Sequence, residues 1–181
     1  MNSIKNNNSK NLENAMLCLE SFYKSAALLF QSARDILIHD YGYVEIRDSR
    51  LSYSFSTSIR NPNGWLPNSL CIYLKEKNSD NYIALLTILK EPFSLDKNPV
   101  EDFYLYGFKI FNEKRWKIIN RICRIAIFNP GQNKGTSQNQ NGFIEVTFQE
   151  QTTKCKMTKC DLWAIDNINK LRDFISETIN L

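Results

Sequence analysis

With 181 residues, 43% of them hydrophobic and 23% charged, the chain has ordinary globular composition and enough length to fold without a disulfide or metal framework. No apolar run approaches the ~18 residues of a membrane span, and the polar opening MNSIKNNNSK lacks the apolar core of a secretory signal. The expected location is therefore the cytoplasm, and the five cysteines (Cys18, Cys71, Cys123, Cys155 and Cys160) read as reduced thiols in a soluble protein.

Residues 1–10 are polar and read as a disordered tail, with a single α+β domain expected over 11–181. Leu12, Met16, Leu19, Tyr23, Ala26, Phe30, Ala33 and Leu37 follow in steps of four and three. That spacing predicts an amphipathic helix from about Asn11 to His39. Ala15, Phe22, Leu29 and Ile36 form a second row, wide enough for the helix to lie on a sheet, with some homodimer contact through it also foreseen. Gly42 is the expected stop.

Leu51, Tyr53, Phe55, Thr57 and Ile59 alternate with serines, which is the pattern of a strand with one polar face. The loop Asn61–Pro67 carries Trp65 as a candidate binding residue, because an exposed Trp in a loop can anchor a partner. Leu70–Leu74 and Tyr82–Leu89 read as a hairpin, with YIALLTIL apolar enough for a central strand buried on both faces. Phe103–Phe111 reads as a further strand.

Residues 113–124 combine a 3.6-residue apolar period at 116, 119, 122, 123 and 126 with polar residues between, which predicts a helix. A strand is the competing assignment, and it would split the charges between two faces. Residues 125–128 read as a short strand, and the Gly-, Gln- and Asn-rich stretch 129–141 as a mobile loop. Alternation at Ile144, Val146 and Phe148 predicts a strand to which 153–163 pairs back. Asp166 is the expected cap of a last helix presenting Ile168, Leu171, Ile175 and Ile179. This order predicts an α+β fold: an antiparallel sheet of about five to seven strands with a long N-terminal helix, a middle helix and a C-terminal helix packed on it.

Catalytic constellations are hard to assemble from these residues. His39 is the one histidine, and it sits where a cation favours a helix C-terminus. Cys155 and Cys160 form a lone Cys-x4-Cys pair, without the second pair that structural zinc commonly uses. Gly131–Ser137 places its Lys before the second Gly, so it departs from the phosphate-loop spacing. Glu91, Asp96, Glu101 and Asp102 share one loop region, with no Glu-x-Lys nearby. No cofactor or metal is expected.

Charge is the more informative signal. Residues 113–124 hold Lys114, Arg115, Lys117, Arg121 and Arg124 against Glu113. The chain has 23 basic and 19 acidic residues, so removing this segment leaves 18 of each, and the whole net charge of +4 lies in these twelve residues. On a helix, Lys114, Lys117, Arg121 and Arg124 make one basic stripe suited to an acidic protein surface or a nucleic acid. The expected function is a small non-enzymatic binding or regulatory protein that engages a macromolecular partner. The alternatives are a nucleic-acid-binding protein using this basic helix, or an enzyme whose carboxylate and hydroxyl chemistry one sequence does not expose.

Overall fold

The computed structural model describes residues 2–46, 52–53, 69–88, 103–128, 136–138 and 142–181. Among these residues, three α-helices accompany a seven-stranded antiparallel sheet: α1 (Asn2–His39), β1 (Ser52–Tyr53), β2 (Ser69–Lys75), β3 (Tyr82–Ile88), β4 (Tyr104–Phe111), α2 (Ile119–Phe128), β5 (Thr136–Gln138), β6 (Ile144–Phe148), β7 (Gln151–Asp161) and α3 (Ile168–Ile179). Short 3₁₀ turns at Trp116–Ile118 and Leu162–Ala164 lead into α2 and towards α3. The spatial order is β1-β2-β3-β4-β7-β6-β5, with the two shortest strands at the edges.

Strand periodicity sorts the core into two layers. Leu70, Ile72, Leu74, Ile83, Leu85 and Leu105 face α1 and α3. Cys71, Tyr73, Tyr82, Ala84, Leu86, Phe108, Ile110 and Val146 face α2. From Tyr82 to Thr87 every residue of β3 is buried, as its unbroken apolar run predicts for an inner strand. The foreseen hairpin is β2–β3, in register from Ser69↔Ile88 to Lys75↔Tyr82.

Among the described side chains, α1 is buried on the sheet only in its C-terminal half, at Ala26, Phe30, Ala33, Ile36 and Leu37. On the same stripe, Met16 is 60% and Leu19 37% exposed. The helix starts at Asn2, so the segment that composition reads as a disordered tail is its first turns. It stops at Gly42, whose φ of 71° lets the Gly42 and Tyr43 amides reach back to the Ile38 and Leu37 carbonyls at 3.2 and 3.0 Å.

Other expectations need correction. The middle helix begins at Ile119, not near residue 113, and continues through 125–128, where a strand was expected. Within 129–141, Thr136–Gln138 forms the edge strand β5 on β6, and the rest of that stretch lies outside the described residues. The cap of α3 is Asn167, whose side chain accepts from the Asn169 and Lys170 amides at 3.0 and 3.1 Å; Asp166 instead pairs with Lys170 at 2.8 Å. Ile168 is 46% exposed, and the buried face of α3 is Leu171, Phe174, Ile175 and Thr178. Of the serine-rich strand only Ser52–Tyr53 lies within the described residues, paired antiparallel to β2. No helix among the described residues is long and apolar enough to cross a membrane.

Candidate functional site

The chain leaves β4 through Asn112, whose φ of 52° falls in the left-handed region that Asn tolerates. This turn carries Glu113 inward, where only 4% of it is exposed. A buried carboxylate needs charged or hydrogen-bonding partners, and Arg115 supplies them. Its Nε donates to Glu113 Oε1 at 2.8 Å, one terminal nitrogen donates to Oε2 at 2.9 Å, and its backbone amide donates to Oε1 at 2.8 Å. The Thr153 hydroxyl on β7 also donates to Oε2. The guanidinium reaches further, to the Phe148 carbonyl at 3.0 Å and the Thr153 hydroxyl at 3.3 Å. Burial pushes the Glu113 pKa up, but the hydrogen bonds from Arg115 and Thr153 outweigh it and hold the carboxyl below its usual value. This clamp ties the start of the 3₁₀ turn to the β6–β7 hairpin and so sets where α2 begins.

From that anchor α2 buries Ile119, Ile122, Cys123 and Ala126 against the sheet. At ~100° per residue, Lys117, Arg121 and Arg124 fall on the opposite side. Lys117 and Arg121 are exposed, and Arg124 is half-buried. Among the described residues none of the three has an ion-pair partner. Two of them are braced by aromatic rings: the Arg121 guanidinium lies 4.3 Å from the Phe148 centroid and the Lys117 ammonium 5.3 Å from that of Trp116. Lys114 is exposed too, but it stands on the non-helical segment before the turn, where its charge helps to lower the Asp80 pKa after the direct Lys75 contact. The basic stripe is therefore a ridge of three cations on the 3₁₀ turn and α2, with Lys114 flanking it. Arg115 is no part of it. Trp65 lies outside the described residues.

A second surface occupies the other face of the sheet. Trp163 is 60% exposed, and its ring packs 6.1 Å from Phe22 and, edge to face, 6.0 Å from Phe103. Beside it runs a mostly apolar groove of about 370 Å³, with Phe22, Leu28 and Leu29 on one wall and Trp163, Ile165 and Ile168 on the other. In sequence Trp163 reads only as the last residue of a strand. Its exposure follows from the 3₁₀ turn that Asp161 caps by accepting from the Trp163 amide at 2.9 Å.

Several other reactive side chains among the described residues are tied into structure. Glu76 accepts from Ser79 and Asn81 at 2.7 Å each, and Asp80 from Lys75 at 2.9 Å, all within the β2–β3 turn. Burial pushes the Cys71 and Cys155 thiols up to about 12 and Cys123 well above the ordinary range. Cys155 faces α2 while Cys160 packs on the α1–α3 side, so strand alternation keeps this pair from sharing an ion. Among the described residues no three His, Cys, Asp or Glu side chains converge as a metal site. Compared with known proteins, the chain matches no family model, no curated protein and no solved structure.

Proposed function

We propose that the protein acts by binding, and that the ridge of Lys117, Arg121 and Arg124, flanked by Lys114, docks on an acidic protein surface. One observation carries this reading. The entire net charge of the chain lies in residues 113–124, and three of its cations project from one short helical ridge without an ion-pair partner among the described residues. Charge held this way steers association with a complementary surface. The ridge is also short: Lys117 to Arg124 spans about 10 Å at 1.5 Å per residue. The rest of the chain is neutral, with 18 basic and 18 acidic residues. A nucleic-acid surface of ~6–10 phosphate contacts would need a wider cationic field, so a protein partner fits better.

The test compares the intact protein with Lys117→Glu/Arg121→Glu, leaving the Arg115 clamp untouched. Two fluorescent probes, a 20-residue polyglutamate peptide and a 20-nucleotide single strand, are titrated at low and moderate salt. The expected result is polyglutamate binding that weakens about tenfold or more on charge reversal, mainly through association. Binding of the single strand alone, with a steep salt dependence, would establish the nucleic-acid reading instead. Unchanged affinity for both probes would leave the ridge as a solvated face.

A further inference from the structure

The outer face of α1 carries a second repeat that the core does not use. Lys10, Asn14, Leu17, Ser21, Lys24, Leu28, Gln31 and Asp35 follow in steps of four and three. This seam lies two residues before the sheet-facing stripe, about 200° around the helix. All of its members are exposed except Asp35, whose side chain is still 48% accessible. Leu17 and Leu28 are 55% and 63% exposed, among the largest apolar exposures in the described residues. From Glu13 to Ser21 the helix is exposed on every described side. A helical stretch of that kind is marginal in water without a packing partner.

From these features we infer that the seam is a homodimer interface, in which α1 of a second copy lies antiparallel across it. The charge pattern selects both the occupant and its direction. The eight positions are symmetric about the point between Phe22 and Tyr23. A two-fold axis there sets Leu17 against the partner's Leu28, Asn14 against the partner's Gln31, and Lys10 against the partner's Asp35. Near the axis, Lys24 already pairs with Glu20 of its own helix at 2.7 Å, and the partner's Glu20 comes alongside, giving four alternating charges. The parallel arrangement would instead bring Lys10, Lys24 and Asp35 each onto its own copy, with like charges at three of eight positions. Leu28 also stands at the rim of the Trp163 groove, so the partner helix closes one side of it. The C-terminal half of the heptad stripe legible in the sequence goes to the sheet; this second one is left for a copy of the same chain.

Sedimentation equilibrium of the full chain, from about 10 to 200 µM, tests the inference. A dimer is expected, and Leu17→Glu/Leu28→Glu should weaken it at least tenfold with unchanged circular dichroism, since both leucines are exposed. Lys10→Asp alone should weaken it, and Lys10→Asp/Asp35→Lys should restore it, which loss of folding could not imitate. In a Cys18→Ser background, Leu17→Cys/Leu28→Cys should form an interchain disulfide under mild oxidation, whereas Leu17→Cys alone should not. A wild-type chain that is monomeric at 200 µM, a dimer indifferent to the leucine reversal, or cross-linking of the single Leu17→Cys variant would each overturn the antiparallel interface.

Discussion

A methyl group placed on Gly107 of β4 would stand 2.1 Å from the Thr178 hydroxyl oxygen and 3.1 Å from its Cβ. Thr178 is fully buried, and its hydroxyl donates to the Phe174 carbonyl one turn back at 2.8 Å. The missing side chain on β4 is thus what allows α3 to seat on the sheet. Gly107→Ala is expected to destabilise the protein by about 2–3 kcal/mol, an overpacking cost. Adding Thr178→Ala should recover part of that loss, because it removes the hydroxyl and methyl in conflict. Chemical denaturation of wild type and the two variants checks this, and a Gly107→Ala variant within about 0.5 kcal/mol of wild type would contradict the close approach.

The Glu113–Arg115 clamp predicts an asymmetry. Arg115→Met strands a carboxylate that is only 4% exposed and should cost about 3–5 kcal/mol, as when a buried ion pair is broken. Glu113→Gln leaves the more accessible guanidinium, whose side chain is 24% exposed, and should cost about 1–3 kcal/mol. The size of the pH effect also differs. In the wild type the Glu113 pKa is lowered, so its contribution is present above the ordinary carboxyl range near ~4.3 and is lost as pH falls through the folded-state value. Without the Arg115 side chain only the Thr153 hydroxyl and the residue-115 amide still oppose burial, so the folded pKa moves up and less stability is lost as pH falls. The gap between wild type and Arg115→Met should therefore narrow from pH 7 to pH 4. Denaturation series at the two pH values measure it, and a constant gap would mean that Glu113 is not the titrating group.

The hairpin between β6 and β7 turns in two residues, Gln149 and Glu150, with φ of 51° and 62°. Two positive φ values are what a type I′ turn demands, and Asn-Gly satisfies them with far less strain than Gln-Glu. Gln149→Asn/Glu150→Gly is expected to stabilise the protein by about 1 kcal/mol, read as a higher thermal midpoint. A lower midpoint would mean that these side chains contribute contacts outweighing the strain.

Phe30 and Met16 sit on one heptad stripe of α1 but meet different surroundings, at 2% and 60% exposure. Phe30→Ala should cost about 3–5 kcal/mol, and Met16→Ala less than about 0.5 kcal/mol. Both are compared at one protein concentration, since association shifts apparent stability. Similar losses would place the sheet contact further towards the start of α1 than Phe22.

Periodicity alone determined most of the fold. The apolar run of β3, the alternation in β6 and the four-three spacing of α1 each report which side chains must leave water together, and that demand is local. The two largely apolar runs Leu70–Leu74 and Tyr82–Leu89, on either side of the polar turn at Asn78–Asn81, were enough to foresee the β2–β3 hairpin, and Gly42 enough to place the end of α1. Concentration of the net charge in residues 113–124 was likewise countable before any coordinates.

What the tertiary structure decided rests on partners far apart in the chain. The apolar spacing from Trp116 to Ala126 is helical throughout, yet the helix waits until Ile119 because Glu113 and Arg115 are drawn to Thr153 and the Phe148 carbonyl, more than thirty residues away. Thr136–Gln138 becomes a strand because β6 offers an open edge, not through any pattern of its own. The α1 stripe has the same spacing along its whole length, and only the extent of the sheet shows where it stops being covered. Local spacing tells a residue to be buried; only the assembled sheet provides, or withholds, the surface that buries it.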